Sequence, residues 1–266
     1  MVTFPRVRLF ALFLSLTLPV LAQPVVHLRF DNPANLGADS SGNNRNGTAN
    51  GNVTSRGNGV SGGAAQFDGA SYIALDQTLN AALATNFTIS LWLETTDSSG
   101  DDEGDPFEGE GIIAADDGSG PSVALGLTGS RVGFGVANEP GALRSSSAVN
   151  TGSFVHVVVT QNAASGERAV FVNGQLEATH PASGSISAQG LLALGATPSQ
   201  ARFFAGAMDD FQVYDQALNA SAVAFLHANP GSAVALAAVP EPSSLLLIAA
   251  GAALIAVLQW QRWRNT

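Results

Sequence analysis

The stretch Phe87-Thr88-Ile89-Ser90-Leu91-Trp92-Leu93-Glu94 decides the fold. Phe87, Ile89, Leu91 and Leu93 fall on one face of an extended chain, and Thr88, Ser90, Trp92 and Glu94 fall on the other. Such alternation is a strand with one face on a core. Outward from it, residues 154–160 are nearly continuous apolar and rich in valine, which predicts a central strand buried on both faces. Residues 168–172 and 175–180 flank Asn173-Gly174, and residues 64–67 and 71–75 flank Asp68-Gly69, so both pairs read as hairpins. Further short strands are expected at 25–30, 111–115, 122–127, 131–137, 191–194 and 203–214, with a polar loop over 31–63. Only residues 218–227 carry a helical pattern. The fold class is therefore all-β, a two-sheet antiparallel sandwich flanked by an N-terminal signal helix and a C-terminal apolar helix.

Both ends carry export signals. Arg6 and Arg8 precede an apolar run over 9–21, and Val20-Leu21-Ala22 supplies small residues for cleavage, so residues 1–22 read as a signal peptide. At the other end Pro240-Glu241-Pro242 precedes an uncharged stretch, 245–258, followed by Trp260, Arg262, Trp263 and Arg264. That stretch is short for a comfortable span, but residues 243–260 suffice for a thin bilayer, with the arginines holding the C-terminus inside. The expected layout is signal peptide 1–22, domain 23–228, linker 229–238 and sorting or membrane segment 239–266.

Between the ends, residues 23–238 carry seven arginines against twenty acids, a net of −13, and the chain has no lysine. A surface this acidic repels phosphate backbones and argues against nucleic acid as a partner. Zero cysteines exclude disulfides and thiolate metal sites, so stability rests on the core.

Two resemblances follow from particular residues. Pro240-Glu241-Pro242, the apolar stretch and the arginine-rich end resemble the PEP-CTERM sorting signal. That likeness implies processing by an exosortase-type enzyme, export, and anchoring in the inner membrane through residues 245–258. The second rests on seven pieces in order: Leu28-Arg29-Phe30-Asp31, Asp39-Ser40-Ser41-Gly42-Asn43, Phe67-Asp68-Gly69, Phe87 to Trp92, Phe154-Val155-His156-Val157, Val172-Asn173-Gly174 and Phe204 to Asp210. This succession resembles the LamG-like jelly roll of the concanavalin A-like lectin/glucanase superfamily over residues 25–228. Phe154 stands where that family usually has Trp, which keeps an aromatic in the core.

The second resemblance implies binding of carbohydrate or protein more often than catalysis, and a structural Ca²⁺. Asp31, Asp39 and Asp209, at or near the ends of the first and last long strands, are the expected metal ligands; the bland alternative is turn caps and solvated acids. The expected function is a non-enzymatic envelope or matrix module whose ligand is an exopolysaccharide or a surface protein. One enzyme signal competes: Glu103-Gly104-Asp105-Pro106-Phe107-Glu108 fits the E-x-D-x-x-E string of laminarinase-type glucanases, with Glu103 and Glu108 as nucleophile and acid. Gly104 and Pro106 oppose the rigid strand those carboxylates need. A purely structural envelope role is the third reading. Among the four histidines, His156 reads as a hydrogen-bonded core residue, and Trp92 as core unless its face is open.

Overall fold

The computed structural model describes residues 23–99, 105–118, 121–137, 142–182, 186, 188–197, 199 and 201–234. The signal peptide, Glu103, Pro240, Glu241, Pro242 and the apolar stretch 245–258 lie outside the described residues. Among the described residues no helix is long and apolar enough to cross a membrane.

Among the described residues seventeen strands form two sheets. In chain order they are β1 (Val26–Leu28), β2 (Thr48–Asn50), β3 (Thr54–Arg56), β4 (Ala64–Asp68), β5 (Tyr72–Ala74), β6 (Phe87–Glu94), β7 (Glu110–Asp116), β8 (Pro121–Thr128) and β9 (Arg131–Val136). Then come β10 (Leu143–Arg144), β11 (Val155–Asn162), β12 (Glu167–Val172), β13 (Gln175–Pro181), β14 (Leu191–Leu194), β15 (Ala196–Thr197), β16 (Arg202–Phe203) and β17 (Ala205–Tyr214). A short helix α1 (Leu79–Ala82) precedes β6, and α2 (Ala220–Ala228) follows β17. One sheet runs β13-β12-β11-β6-β17-β4-β3, with β1 also on β17; the other runs β10-β9-β8-β7-β14-β5-β2. The expected all-β sandwich is what forms.

The alternation in β6 sets the core. Phe87, Ile89, Leu91 and Leu93 point between the sheets, where Val157 and Val159 of β11 and Phe134 of β9 meet them. Phe87 and Phe134 pack edge to face, 6.1 Å between centroids. The valine-rich strand is central as expected, with β12 on one side and β6 on the other. The Asn173-Gly174 hairpin also forms, both residues having positive φ, the backbone of a two-residue turn that matches strand twist.

Asp68-Gly69 does something else. β4 pairs with β3 and β17 in one sheet, whereas β5 pairs with β2 and β14 in the other. The turn thus carries the chain across the sandwich, and the expected hairpin is absent. The 31–63 loop contains β2 and β3, three-residue strands too short and polar to show a period.

β17 is the pivot of its sheet. One edge pairs with β6 along its length. The other edge pairs with β4 over Ala205–Met208 and with β1 over Phe211–Val213. Between those halves the register slips at Asp209-Asp210, and Asp210 has φ +48. The bulge reverses the alternation, so Met208, Phe211 and Val213 all join the core.

Candidate functional site

The gap that β1 and β4 leave beside the bulge is closed by the turn 59–63. Ser61 N–H donates to Asp209 Oδ2 at 3.0 Å, and Gly63 N–H donates to Asp31 Oδ1 at 2.9 Å. A Cβ on Gly62, whose φ is +81, would lie 2.0 Å from that Asp31 oxygen. Asp31 Oδ2 also meets Arg29 Nε at 3.0 Å. Burial pushes Asp209 up to about 7 against the hydrogen bonds from Ser61 and Asp210.

Asp39 stands apart, on the loop after β1. It accepts from His27 N–H, Ser41 N–H, the Ser41 hydroxyl and Arg45 N–H, at 2.8–3.0 Å. Partial burial works against its charge, but those bonds hold the carboxyl below its ordinary range. The structure therefore brings Asp31 and Asp209 to one turn and leaves Asp39 on another. Their oxygens face backbone N–H groups, which a cation would have to displace, and among the described residues no three His, Cys, Asp or Glu could hold a metal. The three are not gathered at one point; each carboxylate caps backbone N–H groups.

A cleft of about 560 Å³ opens on the same sheet where β4 and β6 end and β17 begins. Arg56, Gln66, Asp68, Glu94, Asp97 and the backbone of Ala205–Ala207 line it. Arg56 is fixed twice over: its guanidinium is bidentate to Glu94 at 2.7 and 2.9 Å, and lies 5.5 Å above the Phe154 ring. Phe154, expected in the core, is half-buried and serves as the seat of this arginine. The Ser71 hydroxyl holds Asp68, and the Ser99 hydroxyl holds Asp97, below the ordinary carboxylate range. Both are ionised at neutral pH, while Arg56 is neutralised by Glu94. Ser99 also bonds Glu110, whose carboxyl burial pushes up.

Of the two glutamates considered for catalysis, Glu108 sits in the turn just before β7. Its carbonyl accepts from Arg202, and its side chain is more than half exposed. It is on a turn, where the chemistry needs a rigid strand facing a groove.

The outer face of the sheet carries a second polar assembly that periodicity alone does not reveal. His27 Nε2 meets Asp210 Oδ1 at 2.6 Å, Gln212 Nε2 donates to the same oxygen at 2.8 Å, and the Tyr214 hydroxyl donates to Gln212 Oε1 at 2.5 Å. Burial raises the Tyr214 phenol above its ordinary value. Beside it, Trp92 and His156 lie in register on β6 and β11, with ring centroids 4.9 Å apart. His227 of α2 stacks on Trp92 at 5.3 Å. Trp92 is thus closed off, and His156 hydrogen-bonds Ser90 Oγ at 2.9 Å as a core histidine should. The signal was present in polar residues at 210, 212 and 214, but it reads as a solvated face.

Residues 67–224 match the family described as the concanavalin A-like lectin/glucanases superfamily, and residues 238–262 match the PEP-CTERM protein-sorting motif. Among solved structures, domain 4 of AbnA, an extracellular arabinanase from Geobacillus stearothermophilus in complex with arabinotriose, is similar at 21% identity and TM-score 0.59, covering 78% of this chain and all of that one. The binding domain of Paraclostridial Mosquitocidal Protein 1 (16%, TM-score 0.60) and the botulinum neurotoxin type G receptor binding domain (16%, TM-score 0.57) cover 77% and 78% of this chain. This chain spans about half of each of those two, 52% and 51%. At these identities the likeness is one of fold. A search of curated proteins returned no match.

Proposed function

The chain belongs to the concanavalin A-like lectin/glucanases superfamily, and from that premise we propose that it is a non-catalytic binding module that takes an uncharged glycan chain in the cleft beside Arg56. The observation that carries this reading is the cleft itself. Its walls are hydrogen-bonding side chains already fixed in place, Arg56 by Glu94 and Phe154 above all, so little side-chain entropy is lost on binding. With Asp68 and Asp97 ionised and Arg56 neutralised, polyanionic glycans are disfavoured and hydroxyl-rich neutral ones suit the donors and acceptors on offer. AbnA domain 4, of the same fold, is in complex with arabinotriose, which supports a sugar as one ligand that this fold takes.

The sorting motif implies export, envelope or surface association and handling by an exosortase-type enzyme. In this reading residues 1–22 direct export, the domain from residue 23 binds, and residues 239–266 sort the chain and hold it in the inner membrane until processed. A polysaccharide of the producing cell's own surface is the expected partner.

The test is a panel of neutral and anionic oligosaccharides against the full chain in detergent, with calcium and again with chelator. Neutral glycans should bind, chelator should change nothing, and Arg56→Ala should weaken binding about tenfold, the loss of a charge-assisted contact. Absence of binding to any neutral glycan, or full affinity in Arg56→Ala, overturns the reading.

A further inference from the structure

The C-terminal part of the described chain covers a face that a sandwich ordinarily leaves to water. Asp210, Gln212 and Tyr214 hold the backbone of the strap 229–234 in a row. Gly231 N–H donates to Asp210 Oδ2 at 2.8 Å, Gln212 Nε2 donates to the Ser232 carbonyl at 3.0 Å, and Val234 N–H donates to the Tyr214 hydroxyl at 3.1 Å. The expected linker thus begins as part of the folded domain. Ahead of the strap, α2 buries only Val223 and Leu226. On the covered face Thr88, Ser90, His156, Gln212 and Tyr214 are buried together with Trp92, Val158 and Phe171.

His156 sets the condition for opening. It is 1% exposed, its Nε2 is taken by Ser90, and its Nδ1 has no hydrogen-bond partner. The charged or titratable groups around it come from four elements. β17 supplies Asp209, Asp210 and Tyr214; β1 supplies His27; α2 supplies His227; β6 supplies Glu94. None of the three carboxylates is free to pair with it. Asp210 is engaged by His27, Gln212 and Gly231, Asp209 by Ser61, and Glu94 by Arg56. His227, with ring centroid 5.7 Å away, can only add a second positive charge. The docked arrangement therefore holds His156 neutral.

We infer that α2 and the strap form an acid-released latch, in which protonation of His156 and undocking of residues 220–234 are one coupled event that leaves the sandwich folded. Burial, and then His227, push His156 down to about 3 from its ordinary 6.5. Between those values the undocked form binds the extra proton. The contribution to docking is complete above 6.5 and falls as the pH drops through that window, about tenfold per unit.

The experiment is amide hydrogen exchange on the full chain in detergent at pH 7.5 and 4.5, corrected for the intrinsic rate. Residues 222–234 should lose at least about tenfold in protection at pH 4.5 while β6 and β11 keep theirs. His156→Gln, which can still bond Ser90 but carries no charge, should keep 222–234 protected at pH 4.5. His156 and His227 side-chain NMR titrations in the wild-type chain give a readout that needs no variant: the His156 midpoint should lie well below 6.5, with the loss of protection already under way above it. Unchanged protection at pH 4.5, simultaneous loss in β6 and β11, equal loss in His156→Gln, or a His156 midpoint at its ordinary 6.5 would each overturn the latch.

Discussion

Both faces of the eight-stranded sheet are buried along β6, yet they are interiors of different kinds. Along β6 the odd positions, Phe87 to Leu93, enter an apolar core with the second sheet, while Thr88, Ser90 and Trp92 enter a polar layer under α2 and the strap. The inner face is held by apolar area, which is large and indifferent to direction. The outer face is held by named bonds running from His27 through Asp210, Gln212 and Tyr214 to Val234. Area tolerates exchange of one apolar shape for another. A polar chain does not, because each group removed leaves its neighbour buried without a partner. The same strands thus support one interior that gives stability and another that gives a particular covering.

Three substitutions break the comparison at different depths. Leu91→Ala should cost most, about 2–5 kcal/mol in urea unfolding, by opening a cavity in the inner core. Asp210→Ala should come next, on the order of 3 kcal/mol, because it strands His27, the Gln212 amide and Gly231 N–H together. Part of that loss should appear as local exchange at 229–234 below the global transition. Tyr214→Phe should be the smallest, about 1 kcal/mol, read as faster exchange at Val234 with the urea midpoint little changed. If Tyr214→Phe lowered the global stability as much as Leu91→Ala, the two interiors would be one cooperative unit and the distinction would fail.

The inner face was legible because alternation over eight residues has one physical meaning on a sheet. The Asn173-Gly174 turn was legible because both its residues need positive φ. Asp68-Gly69 carried the same local signal, but a turn sequence says that the chain reverses and not which sheet receives the next strand. Asp31, Asp39 and Asp209 were visible as acids in the right neighbourhood. What they face was hidden, since the N–H groups of Ser61, Gly63 and Arg45 come from loops whose paths depend on the packed fold. The Arg56–Glu94 pair spans 38 residues and leaves no local pattern. The cover on the outer face was equally silent: α2 is too weakly amphipathic to announce that it has a partner.

The position of β17 also has a meaning in time. It is the last strand among the described residues and lies inside its sheet, joining β6 on one edge to β4 and β1 on the other. A chain made from its N-terminus holds three unjoined pieces of that sheet, β13-β12-β11-β6, β4-β3 and β1, until residues 205–214 arrive. Loop closure on that scale is slow, and earlier partial sheets offer unpaired edges. Completion of that sheet is thereby deferred until nearly the whole domain has been made, which suits a chain that its sorting motif marks for export.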